Sequence, residues 1–317
     1  MISNEYTLLS SLVENSSAVR NQLAQVQQQV ASGRVSETYS GLGSQARTSL
    51  DLRPAIGHYG VWQSNIDAAQ GRLDVTQSAL KSISNIVSDY FARANSLNTS
   101  DSTAVASIAQ GARTALQQVA GLLNSKSGDA YVFAGTDSSN APVPNTDPAV
   151  VGSAVLASDT ATPPFSSTLG TNVPQVEVGE GQFVSVGLLA NKNTLAVSTT
   201  PTTGSYIRDT LKALASLAGL TTGAGASATA LSARNYLNSA VSALATETGA
   251  LGQTQSSLTQ RKTVLSQIST ALTTQLSSIE DVDAAAAITK ASALQTQLQA
   301  SYQIIAQSRS LSLAKFI

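Results

Sequence analysis

IDAAQGRLDVTQSALKSISNIVSDYFARANSL, residues 66–97, decides the fold class. Its apolar positions are Ile66, Ala69, Leu73, Leu80, Ile83, Val87, Tyr90, Ala94 and Leu97, with Thr76 as the one polar member. They are spaced alternately three and four apart, which is the seam of a heptad helix. At 1.5 Å per residue the stretch predicts a helix roughly 45 Å long. A second seam lies far along the chain. Leu237, Leu244, Leu251, Leu258, Leu265, Leu272 and Ile279 recur at a strict interval of seven, predicting a helix of roughly 60 Å or more. Its other seam position is mixed, with Val241 and Leu276 at the ends and Thr248, Gln255, Lys262 and Ser269 between. One apolar and one polar seam position suit a mixed helical bundle better than a dry two-stranded zipper. Val105, Ile108, Ala112, Ala115, Val119 and Leu122 form a shorter third segment.

The two ends carry thinner stripes: Leu12, Val19, Leu23, Val26 and Val30 near the start, and Ala291, Leu294, Leu298, Tyr302 and Ile305 near the close. Gln, Ser and Ala surround them. Helices of this kind are marginal alone in water, because packing supplies most helical stability. The ends are therefore expected to need each other, or other subunits, to become ordered.

Proline separates the helical arms. Of eight prolines, only Pro54 lies outside Pro142–Pro201, and proline breaks helices and central strands. Residues 137–205 hold short β-branched runs between turn residues. Val173–Val178, the turn Gly179-Glu180-Gly181 and Phe183–Leu188 predict a β-hairpin, with Val176, Val178, Val184, Val186 and Leu188 alternating with polar neighbours. Thr194–Thr199 predicts a further strand. The chain is thus expected to be mainly α, a long coiled-coil-like bundle made from both ends with a small β-rich insert. The expected division is terminal helices at 1–60 and 285–317, a bundle core at 61–136 and 206–284, and the insert at 137–205.

Composition narrows the function. The 317 residues carry 18 Lys and Arg against 19 Asp and Glu, 12% charged and 4% aromatic. So few cations suit neither nucleic acid nor an anionic membrane surface, both of which need clustered positive charge. Cysteine is absent, which removes disulfides, thiolate metal sites and thiol nucleophiles. No stretch reaches the ~20 apolar residues of a membrane span. The start has Glu5 and Glu14 and neither the basic nor the apolar region of a cleaved secretory signal. Ala/Ser/Thr/Gln-rich helices with thin apolar stripes suit a polymer subunit more than a compact enzyme.

Residues that could carry chemistry have plainer explanations. His58, beside Tyr59 and near Trp62, is the single histidine. With no second His or Cys to complete a site, it fits a packed residue at a helix entry better than a base or ligand. Asp281 and Asp283 follow Glu280 and precede an Ala-rich helix, where acids favour the first turn. A cap or helix break fits them better than a calcium or hydrolytic site. Gly41-Leu42-Gly43 and Gly223-Ala224-Gly225 lack the Gly-Lys-Ser/Thr of a phosphate loop. Asn15-Ser16-Ser17 and Asn98-Thr99-Ser100 match a short, common glycosylation pattern and carry no weight. No catalytic, cofactor-binding or metal-ligating residue is expected.

Three segments carry a resemblance to a known family. Gln29-Val30-Ala31-Ser32-Gly33-Arg34 resembles the helix-Ser-Gly-Lys/Arg stretch near the start of flagellins and flagellar hook-associated proteins. Gly128-Asp129-Ala130-Tyr131-Val132-Phe133-Ala134-Gly135-Thr136 resembles the Gly-x-x-Tyr-Leu-Phe-x-Gly segment that leads into the insert of the flagellar hook-associated protein 3 family. These are the hook–filament junction proteins of the flagellin superfamily. Leu298-Gln299-Ala300-Ser301-Tyr302, Ser308-Arg309-Ser310-Leu311-Ser312-Leu313 and Phe316-Ile317 resemble that family's C-terminus. The resemblance spans about 1–136 and 206–317. One departure is clear: Val35-Ser36-Glu37-Thr38-Tyr39-Ser40-Gly41-Leu42-Gly43 replaces the family's Asn/Asp-Asp-Pro-Ala stretch.

The resemblance implies an extracellular, structural, non-enzymatic subunit of the bacterial flagellum, exported without a cleaved signal through the flagellar type III apparatus. Its implied partners are copies of itself in a ring, another hook-associated protein, flagellin and an export chaperone, with no nucleic acid and no membrane insertion. The implied subunit-interface residues lie on the terminal helices: Leu12, Val19, Leu23, Val26, Val30, Leu294, Leu298, Tyr302, Ile305, Leu311 and Leu313. The bundle core is expected at Ile66, Leu73, Leu80, Ile83, Val87, Leu237, Leu244, Leu251, Leu258, Leu265 and Leu272. Two alternatives stay open. One is flagellin itself, which shares the architecture. The other is a helical enzyme or binding protein that uses His58 or Asp281.

Overall fold

The computed structural model describes the backbone of residues 2–160 and 162–314, and side chains within 10–307. In chain order the elements are α1 (Ile2–Ser32), a 3₁₀ segment (Tyr39–Gln45), α2 (Ala46–Ser96), α3 (Ser102–Leu123), β1 (Lys126–Ser127), β2 (Ala130–Tyr131), α4 (Pro148–Ala157), β3 (Gln175–Gly179), β4 (Gln182–Ser185), α5 (Tyr206–Ala218), α6 (Ala226–Glu280) and α7 (Ala284–Ala314). The fold is mainly helical, with two small two-stranded sheets. The chain divides into two compact units, one of residues 1–59 with 267–317 and the other of 60–266.

In the 60–266 unit the heptad seams are the core. Ile66, Leu73, Leu80, Ile83 and Val87 of α2 are fully buried, as are Leu237 and Leu244 of α6; Leu251, Leu258 and Leu265 are nearly so. Thr76 is tolerated at 0% exposure because its hydroxyl donates to the Arg72 carbonyl one turn back, at 2.9 Å. The mixed second seam of α6 lies half-buried at the edge of the helix pair. There Lys262 meets Asp67 (2.5 Å), Thr259 accepts from Gln70 (2.9 Å), Gln255 donates to Asp74 (2.6 Å) and Arg234 to Asn95 (3.1 Å). The residue numbers of each pair add to the same total, as two antiparallel helices in one register require. These exposed pairs set register more than stability.

The middle of this unit is built round α5. Eleven of its thirteen residues are buried, and it packs against α3 and α4. α3 starts at an Asp101 cap whose carboxylate accepts the Thr103 and Ala104 amides. Its buried stripe is Val105, Ile108, Ala112, Ala115, Leu116, Val119 and Leu123, so Leu123 takes the core place expected of the half-buried Leu122. Gly128 and Asp129 form a two-residue turn between β1 and β2, with Gly128 at φ +60°, a value that glycine adopts without a Cβ penalty. The next residues, Val132, Phe133 and Ala134, are fully buried.

The predicted hairpin is present as β3 and β4, with Val176 opposite Val184 and an irregularity between Glu177 and Gly179. Three features differ from expectation. Residues 194–199 form no strand. The Thr194, Leu195 and Ala196 amides all donate to one carboxylate oxygen of buried Glu247, at 2.7, 2.8 and 2.9 Å, so these amides are spent on a side chain instead of a ladder. The insert region also holds a helix, α4, started by the Asp147 side chain with Pro148 in its first turn. Finally, α2 begins at Ala46, twenty residues before Ile66, and runs through Pro54. Proline costs the helix one hydrogen bond, to the Leu50 carbonyl; Leu50 is half-exposed, so water can replace it.

Candidate assembly site

The terminal stripes meet within one chain. Val19 and Val26 of α1 form a buried cluster with Ala287 and Leu294 of α7, and Leu23, Val30, Val282, Ala291 and Leu298 pack against it. Leu12 and Ile305 are half-buried, and Tyr302 is 48% exposed. The side chains of Leu311 and Leu313, and all of Phe316 and Ile317, lie outside the described residues. On the same helices Val13, Ile288 and Ile304 are more than half exposed. The pair thus has a narrow dry seam and several apolar side chains turned to solvent. Of the expected bundle core, Leu272 belongs to this unit and is only half-buried.

The two helices run antiparallel away from a small backbone joint. Gly33 ends α1 at φ +70°, the left-handed conformation that closes a helix and suits glycine. The chain then pairs with the α6–α7 link. Arg34 bridges Asp281, the Val35 amide donates to the Glu280 carbonyl (2.7 Å), and the Val282 amide donates to the Gly33 carbonyl (3.0 Å). The Gln29 side chain donates to the Val35 carbonyl at 2.7 Å. Ser32-Gly33-Arg34 is therefore a helix stop followed by a strand-like contact.

Glu280 reinforces the joint. Its carboxylate accepts the buried Ser49 hydroxyl (2.5 Å) and the Arg53 guanidinium through both Nε (2.9 Å) and Nη2. The Arg53 hydrogen bonds hold the Glu280 carboxyl below its ordinary value, and the Ser49 bond adds to this. Sequence reasoning treated the acids at 280–283 as one cap or helix break. The structure separates them: the Asp283 carboxylate caps α7 by accepting the Ala286 amide at 3.0 Å, the Glu280 carboxylate binds the start of α2, and Asp281 pairs with Arg34 through its backbone.

His58 lies exposed within α2, not at a helix entry, because that helix starts upstream. Among the described residues, no group of three acids or histidines could hold a metal ion, and no helix is long and apolar enough to cross a membrane. An open cleft of about 560 Å³ lies between Thr136, Asn172, Gln175, Ser185, Leu189 and Lys192; none of the expected site residues lines it.

Comparison with known proteins finds matches at both ends of the chain. The bacterial flagellin N-terminal helical region matches residues 3–138, and the bacterial flagellin C-terminal helical region matches 235–317. No curated protein matches. A solved structure from Vibrio parahaemolyticus, assigned as a flagellar hook-associated protein, is similar in fold. It has 12% identity and a TM-score of 0.57, and the match covers 77% of this chain and 99% of that one. FlgL of Xanthomonas campestris matches at 16% identity over 71% of this chain and 98% of that one, with a TM-score of 0.45. The two helical regions together span more than half of the chain, at both of its ends, and their boundaries enclose the paired helices just described: the chain belongs to the bacterial flagellin superfamily.

Proposed function

We propose that this flagellin-superfamily member is the structural subunit that joins the flagellar hook to the filament. The observation that carries the reading is the α1–α7 pair, a thin apolar seam flanked by exposed Val13, Ile288, Tyr302 and Ile304 inside the two flagellin helical regions. Such a pair is weakly held alone and gains stability where neighbouring copies cover its outer face. The segment Gly128–Thr136 supports the junction role over the filament role, because it resembles the hook-associated protein 3 family. In this reading the copies form a ring, with another hook-associated protein on the hook side and the first flagellin layer beyond. An export chaperone holds the chain before secretion, and the working location is extracellular. Of the expected interface residues, Val19, Val26 and Leu294 are buried in the intrachain seam and hold the pair together. Half-buried Leu12, Leu23, Val30, Leu298 and Ile305 and exposed Tyr302 at its margins, with Leu311 and Leu313, make the subunit contacts in this reading. The task is mechanical and needs no catalytic group.

Deleting the gene tests this. Hooks without filaments, with flagellin released into the medium, are the expected result. Intact hooks and junctions that lack only filament mass, with this chain as the missing bulk protein, would instead make it a flagellin. Normal flagella would overturn both.

A further inference from the structure

Glu280 is the last residue of α6 and is bonded to two separate segments. Its carbonyl accepts Val35 from the α1 exit, its carboxylate takes Ser49 and Arg53 from the first two turns of α2, and the next two residues pair with Arg34 and Gly33. The carboxylate is mostly shielded, with 11% of the side chain exposed, whereas Arg53 is 43% exposed. Ser49 is fully buried. The contact therefore has one dry anchor and one wet arm, an arrangement that holds firmly and can be opened by water without disturbing a large core. Gly33, at φ +70°, supplies the backbone freedom beside it.

We infer that Glu280 is a latch that holds the joint at 33–35 and 280–282 closed, so that the exits of α1 and α7 are fixed or freed together. The charged groups around it are Arg53 and Arg34, which attract it, and Asp281, whose backbone bridges that of Arg34. Removing the Glu280 side chain deletes two guanidinium bonds and the Ser49 bond at once. The amides of Val35 and Val282 then lose protection as a pair, because both belong to the strand-like contact that Glu280 anchors. This holds whatever the chain joins, since it concerns the isolated full-length protein.

Amide hydrogen exchange on that full chain is the test. In Glu280→Ala the Val35 and Val282 amides are expected to exchange at least about tenfold faster, and by similar factors, while α3 and α5 are unchanged. Ser49→Ala, which removes one neutral donor, should give a smaller increase at the same two amides. Arg47→Ala, which breaks only the exposed Arg47–Asp51 pair, should change neither. Unchanged exchange in Glu280→Ala, acceleration at only one of the two amides, or free-chain exchange at both in the unmutated protein would each overturn the latch. Should Glu280→Ala fail to fold, Ser49→Ala decides by the same criterion.

Discussion

α5 and the α1–α7 pair solve the same problem with opposite means. α5 is thirteen residues long and buries eleven of them. α1 and α7 are 31 residues each, yet among their described residues the buried part of the shared cluster is Val19, Val26, Ala287 and Leu294. Fully burying a large apolar side chain contributes about 1.5–3 kcal/mol, while ordering one residue's backbone costs about 1–2 kcal/mol. By that comparison α5 is secured by its surroundings. The described residues of the terminal pair are secured by their own chain only along a narrow seam. The polar groups divide the same way. Around α5, buried Asp209 accepts from Thr202 and Thr203, and Arg208 donates to the carbonyls of Ser158 and Pro163 while lying over the Phe165 ring. At the terminal pair the comparable device is the Glu280 joint.

The contrast can be broken or sharpened by substitution. The largest loss is expected for Leu214→Ala in α5, about 2–5 kcal/mol in urea unfolding of the 60–266 unit. Glu247→Ala comes next. It leaves the amides of Thr194, Leu195 and buried Ala196 without their acceptor, so a loss of about 1–3 kcal/mol is expected in the same measurement, together with faster exchange at residues 194–196. Val26→Ala should cost about 1–2 kcal/mol, felt as lost helical signal from α1 and α7 with α3 and α5 still protected; an equal loss in α5 would erase the distinction between the two regions. Acid acts on the joint. Hydrogen bonds from Arg53, and then Ser49, lower the Glu280 carboxyl below its ordinary 4.5. A depressed carboxyl contributes stability that is fully present above its unfolded value and is lost as pH falls through the folded one. Protection of Val35 and Val282 should therefore fall as the pH drops below about 4.5 and hold above it. The smallest effect is expected for Lys262→Ala: its ion pair with Asp67 is about half exposed on both sides, so stability should move by no more than about 0.5 kcal/mol.

Periodic features were the legible ones. The seam from Ile66 to Ala94 and the leucine heptad are direct consequences of helix geometry; the structure buries the first, and the second from Leu237 to Leu265, while Leu272 and Ile279 are half-buried. The Gly179-Glu180-Gly181 turn was readable because Gly181 sits at φ +63°, where other residues are strained. What escaped was set by partners distant in sequence. Residues 194–199 have a strand's composition, but Glu247, some fifty residues away, claims the amides of Thr194, Leu195 and Ala196. α4 was hidden by the surrounding prolines, though its own start signal was present: Asp147 caps and Pro148 occupies the first turn. The early start of α2 was hidden by Pro54 and by residues without a strong apolar repeat. At the joint, Glu280 and Asp283 are close in sequence but their carboxylates serve different partners, and only Asp283 follows the local rule for acids at a helix start. The terminal stripes were legible as amphipathic. Their pairing inside one chain depends on the Gly33–Val35 turn meeting residues 280–282, which no local pattern announces.

The central claim is that the 60–266 unit keeps its fold by itself while the terminal pair supplies assembly. Leu298→Asp tests it most directly, since Leu298 packs on the α1–α7 cluster and lies outside that unit. Cells carrying this variant should export a chain whose α3 and α5 amides are protected as before, yet make no full-length filaments. Motile cells with full-length filaments, or a variant in which α3 and α5 lose protection along with the ends, would contradict the account.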